Sequence, residues 1–287
     1  MIIKIFSDFC DSNNCRDISI SLLTQEQKKI QEEKNIIIAG NDEINFTHAI
    51  ILNCDMPNLN NIPKENVIGL AFEPITFLQI NNEFIEYAKK YIGKYFIGDI
   101  HNLPHPFIEN QGFLWHLPPP KEIISKNKIM SIIISKKIFS FGHKYRHEIV
   151  NNIIHNNLPV DIYGFGCDLY TEYLKKTTDP RFKGNFENKE PYESYYYSIC
   201  IENFESNHYF SEKISSPIMY NCMPIYYGCK NIQQYFENSY IELNGNIEND
   251  MNIIISILKN PIKFYKETKT LKNIKTPNLL LNIDKFF

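Results

Sequence analysis

The chain has 287 residues, 43% of them hydrophobic and 22% charged, the composition of a globular protein long enough for two domains. Its formal net charge of −3 gives no reason to expect nucleic acid or an anionic membrane as a partner, so any anion site has to be built locally. Seven cysteines, odd in number and without a Cys-x-x-Cys pair, argue against a disulfide or zinc framework and fit a reducing compartment. The opening MIIKIFSDF turns polar too soon for a signal peptide, and no apolar run is long enough to cross a bilayer. The expectation is a cytoplasmic protein with no integral membrane segment.

In chain order, residues 1–6 read as a strand, 24–34 as a polar helix, 35–39 as a strand closed by Gly40, and 48–52 and 67–72 as two more strands. Residues 77–91 predict an amphipathic helix with Phe77, Ile80, Phe84, Tyr87 and Tyr91 on one face, followed by a strand at 95–97. Strands alternating with helices predict a mostly parallel sheet, and the first α/β domain is assigned to residues 1–125. Between 99 and 120 the pattern is lost. Pro104, Pro106, Pro118, Pro119 and Pro120 mark an extended connection that carries Trp115, together with His101, His105 and His116 at no ligand-like spacing.

The second α/β domain, residues 126–287, opens with a strand at 129–135 and a helix at 145–155 whose Tyr145, Ile149 and Ile153 share one face. A strand at 160–163 follows, ended by Gly164 and Gly166, and the polar stretch 168–193 reads as a surface insertion. After residue 228 come a strand in the 240s and helices at 249–259 and 261–274. The terminal NLLLNIDKFF is apolar enough to need cover, either back across the first domain or in a homodimer contact.

Residues 195–228 form the stretch with the clearest chemistry. A buried strand (195–201), a polar loop, a helix capped by Ser211 with Ile214, Ile218 and Cys222 at helical spacing, and a second strand (223–227) make one strand-loop-helix-strand unit. In open α/β sheets ligands sit beyond the carboxyl ends of the strands, where helix N-termini present unpaired N–H groups to anions. Glu202, Asn203, Tyr209, Glu212 and Lys213 fall there, and Arg146 holds the equivalent place after the strand at 129–135. A cation in the first helical turn opposes the helix dipole unless an anion lies in front of it, and a diphosphate would be such an anion. Pro217 interrupts this helix, at a cost of about 3 kcal/mol unless the helix kinks or restarts.

The segment resembles the signature of the family 10 glycosyltransferases, the α-1,3/4-fucosyltransferases. The match rests on Glu202-Asn203, Tyr209, Ser211-Glu212-Lys213-Ile214 and Pro224-Ile225-Tyr226-Tyr227-Gly228. A weaker match joins Ile132 through Ser135 and Arg146 to Val160-Asp161-Ile162-Tyr163-Gly164, and a third is Phe72-Glu73-Pro74. The resemblance covers about half the chain, the second domain. It departs from the family pattern at Phe204-Glu205 and Pro217. It implies a GT-B-like α/β fold of two Rossmann-like domains facing a central cleft, with the donor held by the C-terminal domain and the acceptor by the N-terminal one.

It further implies an inverting, metal-independent transfer of fucose from GDP-fucose to a hydroxyl of a glycan or glycoconjugate, with no cofactor besides the donor. The chain contains no Asp-x-Asp motif, which a metal-bridged diphosphate site would usually carry. By resemblance Lys213 and Arg146 neutralise the diphosphate, and Asn203, Tyr209 and Glu212 hold ribose or sugar hydroxyls. Glu73 is the base that takes the acceptor's proton, or else a turn carboxylate before Pro74. Glu202 supports the loop, and Ser135 either meets a phosphate or caps a helix. Two other readings stay open: the same fold with another donor such as a UDP-deoxysugar, and a non-catalytic glycan-binding protein.

Overall fold

The computed structural model describes residues 1–59, 61–115, 120, 122, 124–187, 189–265 and 279–287. The chain divides into two compact units: Met1–Pro118 with Ser206–Ser211 and Lys275–Phe287, and Pro119–Glu205 with Glu212–Ile274. The first boundary thus lies a few residues before the one expected, and two later segments belong to the N-terminal unit.

The first unit contains β1 (Ile2–Ser7), α1 (Ser12–Ser21), α2 (Gln25–Glu33), β2 (Ile37–Ala39), β3 (His48–Leu52), β4 (Val67–Leu70), α3 (Ile75–Leu78), α4 (Asn82–Tyr91), β5 (Lys94–Ile97) and β6 (Phe107–Glu109). The six strands form one parallel sheet in the order β2-β1-β3-β4-β5-β6. Central strands of such a sheet are covered on both faces and therefore read as continuous apolar runs. Ala49, Ile50, Ile51 and Leu52 of β3 are fully buried, whereas Ile37 on the edge strand is 58% exposed. Gly69 leaves room for the ring of Tyr95, since a Cβ there would lie 2.0 Å from it. The buried Tyr95 hydroxyl donates to the carbonyl of Asn53.

Three elements of this unit differ from expectation. α1 was not foreseen because its buried face is Ser12, Cys15 and Ser19 rather than aliphatic. The hydroxyls of Ser12 and Ser19 donate to the carbonyls of Ile5 and Cys15, both at 2.7 Å, so they are buried at little cost. The helix expected over 77–91 is two helices, broken where Gln79 takes a left-handed φ of 50° and restarted by Asn81, whose side chain accepts from the amide of Phe84. Within the Pro-rich stretch, β6 adds a short edge strand. The chain then passes over the end of β4, where Gly112 lies so close to Ala71 that a Cβ would be 2.3 Å from its carbonyl oxygen. His116, Pro118 and Pro119 lie outside the described residues.

Residues Leu279–Lys285 form short 3-10 turns in this unit. Ile283 is fully buried in the core around β1 and β3, Lys34 pairs with Asp284 at 2.8 Å, and Lys94 donates to the carbonyl of Phe286.

The second unit contains β7 (Lys128–Ile133), α5 (Phe141–His155), β8 (Val160–Tyr163), α6 (Thr171–Thr177), β9 (Phe182–Gly184), β10 (Tyr195–Ile201), α7 (Glu212–Met219), β11 (Met223–Tyr227), β12 (Ile241–Glu242), α8 (Ile247–Lys259) and α9 (Pro261–Phe264). The sheet order is β12-β11-β10-β7-β8-β9, all parallel. The expected surface insertion over 168–193 is instead part of the fold: it carries α6 and β9. Arg181 anchors it by pairing with Asp179 and donating to the carbonyls of Ile153 and Leu158. β9 is hidden in the sequence because it is an edge strand of only three residues, Phe182, Lys183 and Gly184, too short to show a pattern. α9 ends at Phe264, and the expected continuation to residue 274 lies outside the described residues. Among the described residues no helix is long and apolar enough to cross a membrane.

Candidate active site

In the second unit, successive strands β7, β8 and β9 run one way from the middle of the sheet and β10, β11 and β12 the other. The chain therefore reverses direction between β7 and β10, and the crevice beyond their carboxyl ends is where sheets of this kind bind nucleotides. Ser135 to Ser140 leave β7 there and Glu202-Asn203 leave β10.

α5 begins at this crevice. Ser140 caps it by accepting from the amide of His143 at 3.3 Å, and its hydroxyl also meets His143 Nδ1. Gly142 permits the approach of α5 to β10, since a Cβ would fall 1.8 Å from the carbonyl oxygen of Glu202. Gly228, after β11, does the same on the other side, where a Cβ would meet the Glu202 side chain at 2.5 Å. Glu202 is consequently fully buried.

Arg146 lies in the second turn of α5, because the helix starts four residues earlier than expected. Its Nη1 donates to the carbonyl of Ile201 and its Nη2 to Asn203 Oδ1, both at 2.8 Å. Lys213, at the start of α7, lies 3.0 Å from Glu212 Oε1 and 3.7 Å from Glu202 Oε2. Its counter-charges are thus carboxylates of the chain itself, and the dipole at this helix end does not require an external anion. Burial pushes the Lys213 ammonium down, but Glu212 and Glu202 outweigh it and hold its pKa above the ordinary value. Pro217 sits inside α7, fully buried, with its carbonyl accepting from the amides of Tyr220 and Cys222. The helix ends at Met219 in a left-handed turn, where Asn221 takes a φ of 53° and the amides of Asn221 and Cys222 return to the carbonyls of Ile218 and Pro217.

The electrostatic character of the crevice is registered by His143. Burial, followed by the nearby charges of Arg146, Lys137, Lys213 and His147, lowers its pKa to about 4. Burial chiefly, and the neighbouring cations after it, keep its imidazole neutral at pH 7. Neither His143 nor Gly142 was singled out from the sequence, although Ser140 three residues before a helical His carries an N-cap signal.

Ser135 is not among the residues brought together with Arg146 and Lys213. Its Oγ accepts from the amide of Lys137 and its carbonyl from His147 Nε2, so it shapes the loop between β7 and α5.

Tyr209 and Glu73 meet in the first unit. Segment Ser206–Ser211, which carries Tyr209, belongs to the N-terminal unit. Asp99 accepts from the Ser206 hydroxyl and from the amide and side chain of Asn207. The buried Tyr209 then donates its hydroxyl to Glu73 Oε2 at 2.8 Å. Glu73 follows β4 at the carboxyl edge of its sheet. Among the described residues no cluster of three or more His, Cys, Asp or Glu side chains could hold a metal ion.

The architecture can be set beside known structures. A crystal structure of an alpha1,3-fucosyltransferase superimposes with a TM-score of 0.58 over 100% of this chain and 88% of the other, at 13% identity. The fold is GT-B-like. An alpha1,3-fucosyltransferase with GDP-fucose matches with a TM-score of 0.53 over 97% of this chain and 82% of that one, at 11% identity. A mutant of S. aureus TarM in complex with fondaparinux, alpha-GlcNAc-glycerol and UDP matches with a TM-score of 0.56, covering 83% of this chain and 55% of that one, at 14% identity. No family model matches the sequence. No curated protein matches it either.

Proposed function

We propose that the protein is an inverting, metal-independent glycosyltransferase that moves fucose from GDP-fucose to a hydroxyl of a glycan or glycoconjugate. The observation that carries this reading is the gathering of Arg146, in the second turn of α5, and Lys213, at the start of α7, around the carboxyl end of β10 at the switch point of the second sheet. A nucleoside diphosphate is the leaving group such a site stabilises. The signature residues from Glu202 to Lys213 and the fucosyltransferase neighbours support fucose as the sugar.

In this reading the acceptor oxygen attacks the anomeric carbon in line, its proton passes to Glu73, and the bond from carbon to the diphosphate oxygen breaks. Charge developing on the diphosphate is met by Lys213 and Arg146, with Asn203 held by Arg146 and Glu212 beside Lys213. Tyr209 fixes the Glu73 carboxylate. A second reading keeps the chemistry with a UDP-linked donor, and the UDP held by the TarM neighbour favours it.

The test is a thermal-shift panel of GDP, UDP, GDP-fucose and UDP-sugars with and without chelator, followed by a transfer assay. GDP and GDP-fucose should raise Tm with or without chelator. A response to UDP alone moves the assignment to the second reading, and no response to any nucleotide removes both.

A further inference from the structure

Two of the seven cysteines stand in contact at the start of α1. Cys10 lies in the short loop that follows β1, and Cys15 lies one turn into the helix, where its amide donates to the carbonyl of Asp11 at 3.0 Å. Their sulfurs are 3.1 Å apart. A disulfide bond is about 2.05 Å long, so about 1 Å of movement separates this contact from a covalent link. Cys54, Cys167, Cys200 and Cys229 instead turn their thiols to oxygen atoms of the chain.

The backbone on both sides of the pair is held in place. Asp11 caps α1 by accepting from the amide of Asn14, and Ser12 ties the first turn to β1 through the carbonyl of Ile5. The carbonyl of Cys15 accepts from Ser19 Oγ, which itself accepts from the indole of Trp115. The two sulfurs therefore meet without any rearrangement of the helix.

The two thiols differ in what they can do. Cys15 is fully buried, whereas Cys10 is partly exposed to solvent. Burial, and after it the hydrogen bond with Cys10, pushes the Cys15 thiol well above the ordinary range, so Cys15 keeps its proton. The thiolate is the nucleophilic form of a cysteine, and attack on an oxidant therefore falls to Cys10. Cys54, the other partly exposed thiol, is pushed up to about 12 by burial and by Asp8. Charge around the pair is negative, since the carboxylates of Asp11 and Asp55 also act on Cys15. An anionic oxidant such as glutathione disulfide is repelled there, and neutral hydrogen peroxide is not.

We propose that Cys10 and Cys15 form a reversible redox-modification site, in which a neutral peroxide oxidises Cys10 and Cys15 then closes an intramolecular disulfide. In the first step the Cys10 thiolate attacks one peroxide oxygen and the O–O bond breaks. The leaving hydroxide recovers the proton that Cys10 gave up, which yields Cys10 sulfenic acid and one water. In the second step the Cys15 sulfur attacks the Cys10 sulfur, the S–O bond breaks, and hydroxide leaves with the Cys15 proton as a second water. Two thiols are oxidised and one peroxide is reduced. A dithiol reductant reverses the link by thiol–disulfide exchange. The site stands apart from the glycosyl-transfer reading and holds whether or not that reading does.

In the test, the reduced full-length protein is treated with hydrogen peroxide or glutathione disulfide, quenched with iodoacetamide and digested for mass spectrometry. Trypsin releases residues 5–16 as one peptide holding both cysteines. After peroxide that peptide should have lost two hydrogen atoms and carry no alkyl group, and dithiothreitol should restore both thiols. Glutathione disulfide should act at least tenfold more slowly. Cys15→Ser should stop at Cys10 sulfenic acid, trapped by dimedone, and Cys10→Ser should leave the peptide unoxidised. Cys54→Ser should oxidise as the parent does. Both cysteines alkylated after peroxide, a link from either to Cys54, glutathione disulfide as fast as peroxide, or no dimedone adduct in Cys15→Ser overturns the proposal.

Discussion

Arg146 Nη2 donates to Asn203 Oδ1 at 2.8 Å while Nη1 donates at the same distance to the carbonyl of Ile201, so one guanidinium ties α5 to the end of β10. Removing it leaves a buried carbonyl and an amide oxygen without this donor. Arg146→Ala should cost about 2–4 kcal/mol, hydrogen bonds from a charged donor being the stronger kind. Asn203→Ala should cost about 1–2 kcal/mol, since the arginine keeps Ile201. Urea unfolding of both variants measures this, and an Arg146→Ala protein as stable as its parent would contradict the tie.

Lys213 stands between the carboxylates of Glu212 and the fully buried Glu202. Lys213→Met should lower stability by about 1–3 kcal/mol because Glu202 loses its cation, and should weaken nucleoside diphosphate binding at least tenfold. Adding Glu202→Gln should recover most of the stability and none of the affinity. If the double variant recovered nucleotide binding as well, Lys213 would be a structural counter-charge and nothing more.

His143 gives the protein a defined acid sensitivity. Its folded-state pKa of about 4 lies below the ordinary value of 6.5. Between those values the unfolded chain binds a proton that the folded one refuses, so stability is complete above pH 6.5 and falls as pH drops toward 4. The loss is about 2–3 kcal/mol across that window. Unfolding free energies at pH 7 and pH 4.5 should show a steeper drop in the parent than in His143→Gln. Parallel curves for the two proteins would remove this assignment.

The strands were legible where both faces of a parallel sheet are covered. Residues 195–201, 223–227 and 160–163 are apolar or aromatic except at Ser198 and Asp161, and they form strands over those same spans. α1 and β9 were not, because Ser12 and Ser19 satisfy their hydroxyls on local carbonyls and β9 is an edge strand of only three residues. Of the candidate site, the expected meeting of Glu202, Asn203, Arg146 and Lys213 follows from strand ends and helix starts, which sequence periodicity locates. Tyr209 was assigned to the donor side by its place in the loop before α7 and by the family resemblance. Its segment is held by Asp99, a contact about a hundred residues distant that no local pattern announces.

Glu73 and Tyr209 supply the last test, because their hydrogen bond separates a base from its positioning partner. If Glu73 takes the acceptor's proton, Glu73→Gln should lower kcat by about 10²–10⁴ while the nucleotide thermal shift persists, since proton transfer is lost and donor binding is not. Tyr209→Phe removes only the hydroxyl that fixes the carboxylate. It should lower kcat by about fivefold to tenfold, the value of one hydrogen bond of about 1 kcal/mol, and leave the donor KM unchanged. Steady-state kinetics at saturating acceptor, with Tm recorded for each variant, distinguishes the two roles. Full turnover in Glu73→Gln would reduce Glu73 to the turn carboxylate before Pro74, and a Tyr209→Phe defect confined to Tm would make Tyr209 a packing residue.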